Sequence, residues 1–261
     1  CVPFAPYRCF AGAADVAAGP FDTRQLGGIF LLSASELFRF FSLDPAFIEK
    51  YAPMYVTAAG MTIRISVWGV LLSLVLGALC SMVQYYRVPV LRKIVSVYIE
   101  LSRNTPLLVQ LVFLYFGLPK LGIVLPPEHC AIVGLTFLGG SYMAEAFRSG
   151  LDSVEKSQTE SALSLGFSHL QTMRYIVFPE AMAVSVPALC ANVIFLVKET
   201  SVVSAIALAD LMYVAKDLIG LYYQTGEALT MLVIAYLIIL LPISIVATIL
   251  ERRLRYGRFG N

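Results

Sequence analysis

Apolar residues fall in long runs between residues 55 and 250, separated by short charged or Gly- and Pro-containing stretches. The first run, Tyr55 through Tyr86, exceeds the ~20 residues a helix needs to cross a bilayer. Arg64 lies about two turns in and is expected to snorkel outward, while Tyr85 and Tyr86 mark the opposite interface. A second run, 100–119, has Thr105-Pro106 near its start and Pro119 at its end. The third, from Cys130 to Phe147, carries Gly134, Gly139, Gly140 and Ser141, small residues that let helix backbones approach closely. A polar stretch follows. The chain then re-enters the membrane over 186–197, is interrupted at Lys198-Glu199-Thr200-Ser201, and resumes over 202–215. The last run, about 228–250, is the cleanest and ends in Glu251-Arg252-Arg253-Leu254-Arg255. No internal repeat is visible, which argues against a transporter built from inverted halves.

Residues 1–52 read as an N-terminal extension and 53–261 as the transmembrane domain. Within the extension, 26–43 is apolar but interrupted by Glu36 and Arg39, each expensive at a bilayer centre. An interfacial helix is favoured there over a spanning one. Nothing in it looks like a cleavable signal peptide with a basic start.

Composition agrees with the pattern. Hydrophobic residues make up 59% and charged residues 14%, against about 25% charged in soluble domains. The net charge of +2 says little; its placement says more. Arg87, Arg92, Lys93 and Arg103 flank the first connection, Arg148, Lys156 and Arg174 the polar stretch, and Arg252, Arg253, Arg255 and Arg258 the tail. If these three regions are cytoplasmic, the connections at 119–129 and 216–227 hold only Lys120 and Lys216, the asymmetry that orients membrane proteins. Parity then constrains the count. From a cytoplasmic polar stretch to a cytoplasmic tail the chain crosses an even number of times. So 202–215 is expected to be a bent continuation of the fourth helix or a helix at the outer face. The expected fold is an all-α membrane protein of five transmembrane helices, amino terminus outside and carboxyl terminus cytoplasmic, with a cytoplasmic helix-turn-helix loop.

That loop, Glu160 to Pro179, is polar in a mostly apolar chain. Asp152 or Ser153 is expected to open a short helix with Glu155 in its first turn, where the helix dipole favours an acid. Gly166 closes it, because the left-handed residue after a helix end is easiest without a Cβ. Ser168 with Gln171 three residues on is a capping-box pattern, and Pro179 is expected to force a break.

The loop resembles the EAA loop of ABC-importer permeases: Glu160, Ala162, Gly166, Ile176 and Pro179 stand at the family's spacing, with Ser161 for the middle Ala and Phe178 for a Leu. Three further stretches resemble the polar amino-acid subgroup. They are 103–110 with 115–119, 141–150, and 198–204, with Asn104, Ser149 and Glu199 in place of Gly, Gly and Asp. The resemblance runs from about residue 55 to the tail. It implies a permease of the bacterial inner membrane paired with a second permease chain, in a homodimer or a heterodimer. A dimer of separate ABC ATPase subunits would carry ATP and Mg, and an external substrate-binding protein would deliver a polar amino acid. Another small solute, or a scaffold subunit without a pathway, are the alternatives.

The chain itself has no P-loop and no HExxH or GxSxG, so no cofactor, catalytic residue or nucleic-acid partner is expected in it. His129 and His169 lack metal spacing, so no metal is expected either. Cys80 and Cys190 lie in apolar helices as small hydrophobes, and Cys1 with Cys9 leaves a disulfide open. Candidate pathway residues are Glu145, Asn192, Lys198, Glu199, Thr200 and Ser201. Glu145 either meets a cargo ammonium or pairs with Arg148, the second being favoured. Asn192 either bonds a neighbouring helix or lines the pathway. Lys198-Glu199 reads as a helix-breaking ion pair and Thr200-Ser201 as hydroxyls facing a cavity. Tyr142 and Phe113 to Phe116 read as packing and lipid contact.

Overall fold

A computed structural model describes residues 44–259, and every regular element in that range is helical. The expected interfacial segment, Cys1 and Cys9 lie outside the described residues. Nine α-helices follow in order: α1 Pro45–Tyr85, α2 Leu91–Arg103, α3 Leu107–Val112, α4 Pro127–Asp152, α5 Lys156–Ser164, α6 His169–Thr172, α7 Phe178–Glu199, α8 Leu211–Tyr222 and α9 Thr225–Phe259. Among the described residues four stretches are long and apolar enough to span a bilayer: Pro45–Tyr85, Pro127–Asp152, His169–Ile206 and Thr225–Arg253.

α1 starts well before Tyr55 because Asp44 caps it, accepting from Ala46 N at 3.0 Å, with Pro45 in the first turn where a missing N–H costs nothing. Arg64 does point outward, 63% exposed, and pairs with Glu128 at the start of α4 at 2.8 Å.

The second expected run is not one helix. Pro106 cannot donate a backbone hydrogen bond, so the chain breaks at 104–106 between α2 and α3. Neighbouring side chains bond the carbonyls around the break. Asn104 Nδ2 donates to Glu100 O (2.8 Å), Thr105 Oγ1 to Leu101 O (2.7 Å), and Gln110 Nε2 to both Ser102 O and Thr105 O (3.2 and 3.0 Å). α3 then continues through a π turn, Phe113–Gly117, and a 3₁₀ turn, Leu118–Leu121.

α4 is the centre of the bundle, packed against α1, α2, α3 and α7. Its small residues permit this. A Cβ on Gly139 would strike Ser73 and Leu196, and one on Gly150 would strike Ser185 and Ala181. Polar groups stitch the same contacts: Ser73 Oγ donates to Leu135 O (3.2 Å), and Tyr98 Oη and Ser102 Oγ share Phe137 O (2.7 and 2.9 Å).

The region 202–215 divides: its first part, to Ile206, is the expected continuation of the fourth helix, and its second part begins a separate helix. α7 runs through Lys198-Glu199 without breaking and continues as a 3₁₀ turn, Thr200–Ile206, until Ala207 adopts a left-handed conformation (φ 57°). Asp210, fully buried, then caps a separate helix, α8, accepting from Met212 N and Tyr213 N (3.3 and 2.9 Å).

Candidate functional site: a projecting hook and a charged cavity

The hook is built from local rules. α4 extends through Asp152, and Ser153 closes it by donating its hydroxyl to Gly150 O at 2.7 Å. Asp152 and Ser153 therefore end a helix where they were expected to begin one, and Glu155 occupies the cap position of α5. After α5, Gly166 sits at φ 89° with its N–H on Leu163 O, and Phe167 N–H reaches back to Ala162 O. This is a Schellman closure, and it requires the left-handed residue that glycine supplies. Ser168 and Gln171 form the reciprocal capping box, Gln171 N to Ser168 Oγ at 3.3 Å and Ser168 N to Gln171 Oε1 at 2.8 Å.

Pro179 does not break the helix. A π turn, Met173–Val177, precedes it, Phe178 N–H bonding five residues back to Met173 O, so the backbone is already widened where the ring enters. His169 to Ile206 is thus one continuous helical rod from hook to bundle.

Within the hook, Glu160 and Ser161 are exposed, Ala162 is buried, Ile176 is half-buried and Pro179 is exposed. Leu165 and Leu170 flank the turn 79% and 77% exposed, with Tyr175 beyond them at 62%. These apolar side chains stand on the surface of the turn. The motif spacing did not point to them, although two leucines in a polar loop are visible as a local exception.

The second feature is a cavity of about 380 Å³ lined by residues that include Arg103, Thr105, Tyr142, Phe195 and Glu199. Glu145 ion-pairs with Arg103, 42 residues away, and not with Arg148, which pairs with Asp152 at 3.3 Å. The i, i+3 spacing put Glu145 and Arg148 on adjacent positions, but the packing of α2 on α4 brings Arg103, at the end of α2, to Glu145. The Arg103 guanidinium also lies 5.3 Å from the Tyr142 ring centroid, and Tyr142 packs on Phe195 at 5.3 Å. Tyr142 therefore belongs to the cavity, contrary to its reading as plain packing. Phe113 to Phe116 lie away from it.

The pathway candidates separate. Glu199 lines the cavity, and Glu145 reaches it through Arg103. Asn192 Nδ2 donates to Tyr142 O at 3.2 Å, so it bonds a neighbouring helix and steadies a lining residue. Lys198 is exposed, makes no ion pair with Glu199, and is not in the lining; neither is half-buried Ser201. Thr200 is fully buried with its hydroxyl on Val197 O at 2.7 Å, because a helical Thr satisfies itself on its own preceding turn. Among the described residues no cluster has the ligand set for a metal.

A bundle of apolar helices with a capped polar hook and a charged cavity defines a multi-pass membrane protein. Residues 69–256 match the family model described as "Binding-protein-dependent transport system inner membrane component", and the chain belongs to that family. It is 31% identical over 196 residues to a "Probable amino-acid ABC transporter permease protein PatM" of Vibrio harveyi, covering 74% of this chain and 88% of that one. It is 32% identical over 205 residues to the "Glutamine transport system permease protein GlnP" of Escherichia coli (strain K12), covering 78% and 94%. Among solved structures, "Crystal structure of an amino acid ABC transporter with histidines" superposes with a TM-score of 0.75 at 31% identity, covering 81% of this chain and 99% of that chain. The methionine transporter MetNI, at 19% identity and TM-score 0.67, shares the fold.

Proposed function

We propose that this chain is the translocation subunit of an ATP-driven importer for a polar amino acid. Its relatives are transporter permease subunits, and it is a multi-pass protein of the inner membrane. The observation that carries the cargo assignment is the cavity, where three separated segments contribute Arg103, Tyr142 and Glu199. Charged side chains at membrane depth are costly and persist where they pair or meet a polar ligand. A zwitterion supplies both signs: its carboxylate suits Arg103, its ammonium Glu199 and Glu145.

The hook is the coupling element. α5, with Glu160, Ser161 and Ala162, enters a groove on a separate ATPase that holds ATP and Mg, and Leu165 and Leu170 add apolar contact. Gly166 sets the turn. The rod from Ile176 and Pro179 onward transmits ATPase closure into the bundle. Five crossings follow if α2 and α3 together make the second, with the amino terminus outside and the hook cytoplasmic. Arg87, Arg92, Arg148 and Lys156 line one cavity and so lie at one end of the bundle, which supports that end as the cytoplasmic one. A second permease chain and an external binding protein complete the machine.

The test is reconstitution of the purified complex in proteoliposomes with the binding protein. A separate ATPase is expected to co-purify, and loaded binding protein to raise its hydrolysis. Glu199→Gln is expected to cut uptake about tenfold or more, the worth of one charge-assisted hydrogen bond, with ATPase binding intact. Unchanged uptake would remove the cavity from the pathway; absence of any co-purifying ATPase would remove the coupling role.

A further inference from the structure

At the hook end of the bundle, two cavities adjoin. One, about 480 Å³, lies between the end of α1, the start of α2, the end of α4 and α5. Arg87, Arg92, Arg148 and Lys156 line it, with Asp152 and Glu160 as its acids, an excess of two positive charges. Arg148 pairs with Asp152, while Arg87, Arg92 and Lys156 form no ion pair among the described residues. The other, about 250 Å³, is lined chiefly by apolar side chains, among them Met82, Phe147, Met173 and Met182, between α1, α4, the π turn and the start of α7. Tyr85 and Leu151 line both, so the polar chamber opens beside an oily one.

The connection that presents the arginines is held in a disfavoured conformation. Arg87 has φ 51° and Val90, a β-branched residue, φ 68°. Backbone held this way is found where a loop clamps a ligand. Basic chambers between helix ends on the cytoplasmic side of a membrane suit anionic headgroups.

We propose that this paired cavity holds one anionic phospholipid, its phosphate among Arg87, Arg92 and Lys156 and an acyl chain along Met82, Phe147 and Met182. The continuity of charged and apolar walls distinguishes this occupant from a free anion, which has no use for the second chamber. The site rests on the reading that the hook end faces the cytoplasmic leaflet. The lipid wedges between α5 and the helices that α5 moves, so its occupancy stiffens the hook against the bundle.

The experiment uses the detergent-purified permease with its co-purifying partners, delipidated and given equal amounts of phosphatidylglycerol and phosphatidylcholine, with bound lipid counted by native mass spectrometry. Wild type is expected to retain phosphatidylglycerol preferentially, and excess inorganic phosphate is expected not to displace it. Arg87→Asn with Arg92→Gln is expected to weaken retention about 30-fold, from the loss of two surface-type lipid attractions. Asn is chosen because it tolerates the left-handed conformation. Met82→Trp, at a residue 46% exposed and therefore tolerant, fills the apolar chamber and is expected to weaken lipid retention by itself. Equal retention of both lipids, unchanged retention in either variant, or displacement by phosphate would each overturn the site. The ATPase is read in the same samples. Unchanged lipid retention with ATPase present refutes the lipid site alone; variant-sensitive lipid without any ATPase refutes the coupling reading alone.

Discussion

α4 and α9 both cross the bundle, yet they are opposite in construction. α9 holds the most apolar stretch of the chain, and only 11% of that stretch is buried; for the less apolar α4 the share is 61%. In water the ranking would be reversed. In lipid, apolar side chains gain little from leaving the solvent, so association selects close backbone approach and interhelical hydrogen bonds. α4 has both, through Gly139, Gly140, Gly150 and the bonds to Leu135 O and Phe137 O. α9 carries Ile238, Leu241, Ile245 and Val246 outward, a face suited to lipid or a second chain.

Substitutions can break that contrast. Gly150→Val should have the largest effect, about 3 kcal/mol, because a side chain there drives α4 off Ala181 and Ser185; thermal unfolding in detergent measures it, and a stable variant would show the contact to be loose. Gly166→Val isolates the other use of glycine. Nothing lies within 4 Å of a Cβ there, but φ is 89°, so the cost is about 1–2 kcal/mol of backbone strain confined to the hook. Uptake should fall while the protein stays in the membrane; wild-type uptake would count against Gly166 as the fixed angle. Ser73→Ala should lose about 0.6 kcal/mol, the usual worth of an interhelical bond in lipid. Ile238→Ala on α9 should change monomer stability by less than about 0.5 kcal/mol; a larger loss, growing with protein concentration, would place a second chain on that face.

Much of the hook was legible beforehand. The Gly166 closure and the Ser168–Gln171 box involve partners within five residues, so neighbouring letters nearly dictate them. Misreadings arose where local rules competed. Ser153 can open or close a helix, and its hydroxyl went back to Gly150. Pro179 breaks an α-helix but follows a π turn without doing so. Asp210 went unremarked, since an acid inside an apolar run betrays its capping role only once Met212 N and Tyr213 N donate to it.

By itself the sequence determined that the chain is helical and membrane-embedded, where a polar hook interrupts it, and how that hook turns, because periodicity, caps and left-handed residues act over one helical turn. The tertiary structure alone decided that Arg103 rather than Arg148 meets Glu145, that Tyr142 faces a cavity, and that Thr200 turns away from it. Those choices depend on which helix faces lie opposite one another across dozens of residues, and that is settled by backbone approach at α4, not by any neighbouring letter.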